Sequence, residues 1–279
     1  MAKKKQEVQL IGASKLMEKV FTGGLYRELK FYENRKEQMK DQFHKIVKDS
    51  HDIRHEFHGV VAKFIRNPVY TTDQEGLLDY LENFGVLPYV TKIDAKKVKE
   101  ETDIQNTLSR FAYPVKSYVR FYLNGEGRGH LDKTQYNFDM NLERLSHWFL
   151  KTKSGHDRMK NQLELYKNNM LNCPVLKQAG SLVSNYGTVK RLNYATEYDI
   201  PAIYQELGAD FLKQYGSVNM EALDDYICRG ILNQKEIQSF RMMTDHKLKF
   251  MVMDVESEQR AWDYFQSERI RKSNLSRNA

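Results

Sequence analysis

A segment near the middle of the chain alternates aromatic and basic residues with apolar ones. Tyr118, Arg120 and Tyr122 occupy every second position, and the positions between them are apolar. An alternation with a period of two is typical of a strand with one buried side, so these three side chains should share the other side. Aromatic rings stack on unpaired bases and cations bind phosphates, which makes nucleic acid the predicted ligand. The candidate contact residues are this trio and the basic residues near it in sequence: Lys116, Tyr118, Arg120, Tyr122, Arg128, Lys133, Lys151, Lys153, Arg158 and Lys160.

Four of the eight histidines lie close together, at His44, His51, His55 and His58. On a helix, His51, His55 and His58 would lie near one face. Asp52 precedes His55 by three positions, which is the spacing of the carboxylate–histidine pair in the di-metal sites of helix bundles. Such a site needs a second pair of this kind and two further carboxylates, which the sequence does not supply. We therefore predict a solvated histidine-rich surface and no metal or other cofactor.

Residues 50–57, with the sequence SHDIRHEF, resemble the phospho-acceptor box of sensor histidine kinases. In that family a histidine followed by an acid and an arginine lies on a long bundle helix. The resemblance implies that His51 is the phosphorylated residue. No downstream segment resembles the family's ATP-binding lobe, so the resemblance implies a phosphotransfer protein without a kinase domain.

A glycine-rich stretch at residues 125–129 follows the alternating segment. Phosphate-binding loops require fixed glycine spacing, a following helix and, for nucleotides, a Lys-Ser/Thr pair. Here a second alternating stretch follows at 136–140, so the glycines predict the tip of a β-hairpin near 117–140. Nucleophile elbows, zinc-protease helices, kinase motifs and Walker loops are also missing, and we expect a non-enzymatic protein.

The strongest periodic signal lies between Thr22 and Pro68. Twelve positions from Leu25 to Phe64 follow a spacing of 4-3-4-3, and ten of them are apolar. A sevenfold repeat keeps one side of a helix facing a partner, so the pattern predicts a coiled-coil helix over 22–68 that ends at Pro68. A second copy, another protein or another helix of this chain must cover the apolar seam. The seam comprises Leu25, Leu29, Tyr32, Met39, Phe43, Ile46, Ile53, Phe57, Val60 and Phe64.

Beyond Pro68 the sequence predicts a mainly helical body over 69–268. Further helices are expected around 139–152, 156–171 and 176–191, and residues 248–254 would add a third strand to the hairpin. Polar capping residues indicate helix starts at Asp94, Asp199, Asn219 and Asn233.

The expected fold is therefore mainly α with a small antiparallel β-hairpin or sheet, of the α+β class. A basic flexible N-terminus over 1–21 precedes the long helix, and a basic C-terminal tail over 269–279 follows the body.

Composition narrows the function classes. The 279 residues carry 44 Lys and Arg against 37 Asp and Glu, a net charge of +7 that favours polyanionic partners. Cys173 and Cys228 are too few and too far apart for a disulfide framework or a cysteine zinc site. No stretch reaches the roughly 18 apolar residues of a membrane helix, and no signal-peptide core follows the first lysines. These features predict a cytoplasmic protein with no membrane partner.

Together these patterns predict a binding or assembly protein. Its long helix would form an oligomer or dock another protein, and its basic hairpin would contact DNA, RNA or a nucleoprotein. Richness in Lys, Asn, Tyr and Met suits a phage or mobile-element product. The alternatives are a structural or inhibitory protein that binds only proteins, for example in virion assembly or against a host factor, and the phosphotransfer protein that uses His51.

Overall fold

The structure is a computed structural model that describes residues 10–277. It divides into two compact units. The first consists of the described residues up to Ile65, of Lys116–Tyr194 and of Phe250–Glu256. The second consists of Arg66–Val115, of Ala195–Lys249 and of the described residues from Ser257.

Within the described residues the chain forms 13 helices and eight strands. The helices are α1 (Ala13–Thr22), α2 (Leu25–Val47), α3 (Gln74–Asn83), α4 (Leu87–Val90), α5 (Ala95–Val98), α6 (Thr102–Ser109), α7 (Gly125–Arg128), α8 (Leu142–Leu171), α9 (Pro174–Ala179), α10 (Ile200–Tyr215), α11 (Met220–Cys228), α12 (Gln234–Ser239) and α13 (Val255–Arg277). The strands are β1 (Arg54–Phe57), β2 (Val60–Thr72), β3 (Thr91–Ile93), β4 (Ser117–Leu123), β5 (Ser181–Ser184), β6 (Gly187–Asn193), β7 (Gly216–Val218) and β8 (Arg241–Asp254). They form sheets of order β1-β2-β8, β3-β7 and β4-β6-β5.

The fold is mixed α/β: 57% of the described residues lie in helices and 21% in strands, which are spread over three sheets. The prediction of a mainly α fold with one small hairpin is therefore wrong. It underestimated the strands because two hairpins, β1–β2 and β5–β6, lie in segments where the apolar spacing also satisfies a helical period.

The long helix predicted over 22–68 is not present. α2 ends at Val47, an irregular segment follows, and the chain then forms the β1–β2 hairpin, so Pro68 lies inside a strand. His58 and Gly59 form the two-residue turn, with φ angles of 46° and 83°. Two successive positive φ angles match the twist of a tight hairpin, and glycine adopts them without strain. The His58-Gly59 turn was thus the local signal that outweighed the sevenfold spacing.

Burial along α2 does not follow the sevenfold pattern to its end. Leu29, Met39 and Phe43 are buried, but the last buried residue is Val47, whereas Ile46 is 41% exposed. A straight helix repeats every 3.6 residues, so its buried side moves steadily relative to a repeat of 3.5. α2 is therefore an amphipathic helix of a globular core.

α8 of the same chain covers two of the seam residues of α2, Tyr32 and Phe43. The rings of Phe43 and Phe149 meet edge to face with centroids 5.8 Å apart. Tyr32 lies over Gly155, where a Cβ would come within 2.5 Å of the tyrosine ring, so glycine allows the two helices to approach closely. The predicted seam does not form one assembly surface, because its other members are scattered: Leu25 and Ile46 in α2, Ile53 before β1, Phe57 in β1, and Val60 and Phe64 in β2.

The hairpin predicted near 117–140 is also wrong, because β4 pairs with β6. The glycine-rich stretch forms α7, whose N-cap Asn124 accepts a hydrogen bond from the Gly127 N–H at 2.9 Å and donates to the Asn185 carbonyl at 2.8 Å. Gly127 packs so closely on the Tyr186 carbonyl that a Cβ would overlap the oxygen. These contacts fasten the end of β4 to the β5–β6 turn. The helix expected over 176–191 is absent, since α9 ends at Ala179, and residues 248–254 belong to β8, which pairs with β2.

The irregular segment between α7 and α8 is anchored on α2. The Thr134 carbonyl accepts hydrogen bonds from Asn34 at 2.8 Å and Gln38 at 2.7 Å, and the Tyr136 N–H donates to Gln38 at 2.8 Å. The Arg35 guanidinium lies 5.1 to 5.7 Å from the centroids of four rings, those of Phe31, Tyr136, Phe138 and Trp148. Cation–π contacts of this kind hold the segment in place.

The second unit has its own core, in which Leu81, Leu87 and Ile203 are completely buried with other residues of its helices. The helix starts predicted from capping residues are confirmed here. Asp199, for example, accepts a hydrogen bond from the Ala202 N–H at 3.1 Å. Asp94 and Asn233 likewise accept a hydrogen bond from a first-turn N–H, whereas Asn219 occupies the N-cap position of α11 without a side-chain capping bond.

Both predicted chain ends contain helices. Residues 13–21, expected to be flexible, belong to α1, in which Met17 and Phe21 are buried. Residues 1–9 lie outside the described residues. The basic tail begins inside α13, which continues to Arg277. Among the described helices, none combines the length and apolarity that a membrane crossing requires.

Candidate nucleic-acid interface

β4 is an edge strand of the β4-β6-β5 sheet and buries only one of its sides. Val119 is 4% exposed and packs in the core of the first unit with other residues of α1, α2 and α8. Successive side chains of a strand point to opposite sides, so Tyr118, Arg120 and Tyr122 point away from that core. Arg120 is exposed, and the Tyr122 side chain is 41% exposed.

β6 and β5 extend this exposed side. Arg120 is paired with Lys190, which is in turn paired with Ser181 on β5. Residues directly opposite each other in antiparallel strands point to the same side. The resulting surface, together with Tyr194 just after β6, is named the outer face here. Its members are Tyr118, Arg120, Tyr122, Ser181, Val183, Thr188, Lys190, Leu192 and Tyr194.

Aromatic rings and cations are in contact on the outer face. The Lys190 ammonium lies 4.8 Å and the Arg120 guanidinium 5.4 Å from the centroid of the Tyr122 ring. At the other end of β4, the rings of Tyr118 and Tyr194 lie 4.7 Å apart. Tyr194 is 57% exposed. The surface thus offers two exposed aromatic positions with positive charge beside one of them.

Backbone and side-chain hydrogen bonds fix Tyr194 beside β4. The Tyr194 N–H donates to the Lys116 carbonyl at 2.9 Å, and the Ser117 hydroxyl donates to Asn193 at 2.9 Å. The ladder between β4 and β6 therefore continues one residue past the end of each strand. Lys116, one of the predicted contact residues, consequently adjoins the outer face.

A cleft of about 410 Å³ adjoins the β4 edge, between α2 and α8. Tyr118 and Arg120 line it, together with Lys160 of α8, so three of the predicted contact residues meet there. Glu33 accepts from Lys30 at 2.6 Å and Glu164 from Lys167 at 2.7 Å, which neutralises those two lysines. Burial raises the pKa of Tyr26, another lining residue, so this phenol stays neutral at ordinary pH. Lys160 is exposed and supplies a cation to the cleft.

Other predicted contact residues lie elsewhere. Burial disfavours the charge on Lys153, but hydrogen bonds to Asp254 at 2.8 Å and Asp157 at 3.0 Å raise its pKa. Lys153 is therefore part of a structural ion-pair network. Lys151 lies 5.2 Å over the Trp148 ring. Three further residues are exposed outside the outer face: Arg128 in α7, Lys133 in the irregular segment and Arg158 in α8.

The sequence interpretation missed Lys190 and Tyr194 because it assigned 176–191 to a helix. The signal was present in the sequence. Leu182 and Val183 precede Asn185-Tyr186-Gly187 and Val189 follows it, and turn residues between two short runs that contain β-branched residues are typical of a hairpin. β5 and β6 pair across this turn, with Ser184 opposite Gly187.

The histidine-rich segment does not form a helical face. His51 lies in the irregular segment before β1, so the bundle helix on which the phosphotransfer hypothesis depended is missing. His55 stacks on Phe57 in β1, and His44 contacts the rings of Phe64 and Phe250. In the described part of the chain, no group of three or more His, Cys, Asp or Glu residues is placed to hold a metal ion.

Comparisons of the chain with protein-family models, with curated proteins and with solved structures found no match to any of them.

Proposed function

We propose that the protein binds single-stranded nucleic acid on its outer face. Bases would stack on Tyr122 and Tyr194, and phosphates would approach Arg120 and Lys190. The observation that carries the proposal is the exposed Tyr122 ring with two cations beside it, the Lys190 ammonium at 4.8 Å and the Arg120 guanidinium at 5.4 Å from its centroid. Every base has a flat π-face, so rings presented in this way bind bases without requiring a particular sequence.

The geometry favours single strands over duplexes. In a duplex the bases are already stacked on each other, and a protein reads them through the grooves, most often with a helix or a ribbon. Tyr122 and Tyr194 lie on a sheet face, where rings can accept only bases that have left such a stack.

Charge supports the same proposal. The outer face carries Arg120 and Lys190 and includes no carboxylate. Lys160 adds a cation in the adjoining cleft, and the whole chain carries a net charge of +7. Each phosphate contact releases condensed counterions, so binding should weaken steeply as salt rises.

The aromatic contribution can be measured with Tyr122→Ala. Losing one base–aromatic stack costs about 1–3 kcal/mol, so we expect the Kd for a labelled single strand of about 15 nucleotides to rise between about 5-fold and 150-fold. Fluorescence anisotropy at low salt measures the Kd of the wild type and that of the variant. Tyr264→Ala, which removes a ring that is 63% exposed on α13, is the matched control and should leave the Kd unchanged. The proposal is wrong if the wild-type protein does not bind the single strand at low salt. It is also wrong if Tyr122→Ala and Tyr264→Ala bind the strand with the same Kd.

The ionic contribution can be measured with Lys190→Ala. Removing one phosphate contact should make the plot of log K against log salt shallower by about 0.7 for a single strand. Lys151→Ala is the control, because this lysine lies over the Trp148 ring and is not a member of the outer face, and its salt slope should equal that of the wild type. An unchanged slope for Lys190→Ala would exclude this lysine from the interface.

A further inference from the structure

The second unit contains a part of the β1-β2-β8 sheet that has only two strands in the described chain. β1 pairs with an earlier part of β2, which belongs to the first unit. Residues 66–72 of β2 and 241–249 of β8 both belong to the second unit, and the Thr244 hydroxyl joins them by donating to the Val69 carbonyl at 3.3 Å. These two paired segments are named the ribbon here.

Neither side of the ribbon is covered by the rest of the described chain. Met242 and Met243 are successive residues of a strand and therefore point to opposite sides, yet they are 67% and 51% exposed. All eight residues from 242 to 249 are exposed. Strands of soluble proteins ordinarily bury at least one side, and an isolated pair of strands is only marginally stable in water. The ribbon is therefore a surface that a bound partner would stabilise.

The charge of the ribbon matches a polyanion. The whole chain has 44 basic against 37 acidic residues, but the ribbon has four basic residues against one carboxylate. The basic residues are Arg66, Arg241, Lys247 and Lys249, and the carboxylate is Asp245. Arg66, Lys247 and Lys249 are exposed and can reach phosphates. Each such contact releases condensed counterions, which makes a nucleic acid the complementary partner.

The shape of the ribbon matches duplex DNA. The major groove of B-form DNA is about 12 Å wide and accepts a two-stranded ribbon, whereas the major groove of duplex RNA is too deep and narrow for side chains to read. Residues 242–249 extend over about 26 Å, or about eight base pairs along a groove. Arg66 and Asn67 are exposed neighbours, and guanidinium and amide groups are the ones that most often bind base edges in this groove.

We propose that the ribbon binds double-stranded DNA in the major groove, with Lys247 and Lys249 in contact with phosphates. This proposal goes beyond the binding of single strands and does not depend on it, because the outer face belongs to the first unit and the ribbon to the second.

Fluorescence anisotropy of the full chain with a labelled DNA duplex of about 20 base pairs, over a salt series, tests the proposal. Lys247→Gln combined with Lys249→Gln removes two charges and keeps long polar side chains. We expect the plot of log K against log salt to become shallower by about 0.9 for each lysine, and the Kd for a single strand to stay unchanged. Lys96→Gln combined with Lys99→Gln is the matched control, because it removes the same charge from exposed positions of the same unit outside the ribbon. Its salt slope should equal that of the wild type.

Competition identifies the groove. On a duplex with an A·T tract, methyl green, which occupies the major groove, should displace the protein, and netropsin, which occupies the minor groove, should not. A duplex RNA of the same sequence should bind more weakly than the DNA. The proposal is overturned if the chain does not bind duplex DNA at low salt, if the two double variants show the same salt slope, or if netropsin alone displaces the protein.

Discussion

Lys190 and Lys153 illustrate how differently the same side chain is used within one unit. Lys190 lies 4.8 Å from the centre of the Tyr122 ring on an exposed strand face. Lys153 is held between Asp157 and Asp254, and its hydrogen bonds to them raise its pKa although burial acts against the charge. A phosphate could bind Lys153 only by competing with both carboxylates for its ammonium. Counting basic residues along the sequence therefore overestimates the interface.

Asp132 gives a residue-scale prediction about pH. Burial alone would raise its pKa, but hydrogen bonds lower the pKa to about 2; the Thr134 N–H donates at 3.0 Å and the Tyr136 hydroxyl at 2.7 Å. An aspartate in the unfolded chain has a pKa of about 3.9. Because the folded value is the lower one, Asp132 contributes stability above pH of about 4 that is lost as the pH falls toward about 2.

Asp132→Asn removes this titration while keeping an oxygen that can accept the Thr134 hydrogen bond. We expect the wild type to have the larger free energy of unfolding at neutral pH, and the difference to shrink as the pH falls from about 4 to about 2. Urea denaturation of both proteins across this pH range measures the difference in their free energies of unfolding. A difference that stays constant down to pH of about 2 would contradict the assignment.

At the scale of the element, α7 tests how β4 is held in register. Gly127→Ala would press a methyl group into the Tyr186 carbonyl, so we expect a loss of about 1–3 kcal/mol in the free energy of unfolding. Gly125→Ala is a control two residues away, since nothing lies within 4 Å of its Cβ position, and it should be nearly neutral. Equal effects of the two substitutions in urea denaturation would mean that α7 does not fasten β4 to the β5–β6 turn.

The elements that the sequence predicted correctly were those with local chemical signals. Asp199 marked the start of α10 because its carboxylate can accept a first-turn N–H, and that contact needs no distant residue. The alternation of β4 likewise needs only its own residues, and Val119 is buried while Arg120 is exposed.

Elements that depend on partners distant in the sequence could not be predicted from local signals. The spacing from Leu25 to Phe64 fits a coiled coil, yet the chain turns at His58-Gly59, and α8, which begins only at Leu142, packs on α2. β4 pairs with β6 across an intervening helix of 30 residues. The candidate interface was therefore predicted only on the β4 side. Its β6 half followed once the pairing of Arg120 with Lys190 was known.

At the scale of the whole molecule, the proposed single-strand interface lies within one of the two units. The outer face belongs to the first unit. Each unit has its own buried core, so substitutions on the outer face should leave the fold of the second unit unchanged. A positive net charge of +7 draws polyanions to the chain but does not select a surface, and only the location of the contact distinguishes specific stacking from general attraction.

The measurement that tests the central claim most directly is therefore the site of contact. A single strand carrying a photoreactive base is bound at low salt and cross-linked, and the attached peptides are identified by mass spectrometry. The proposed function predicts cross-links within residues 117–123 and 188–194, where Tyr122 and Tyr194 lie. Cross-links confined to other parts of the chain, or none at low salt, would contradict it.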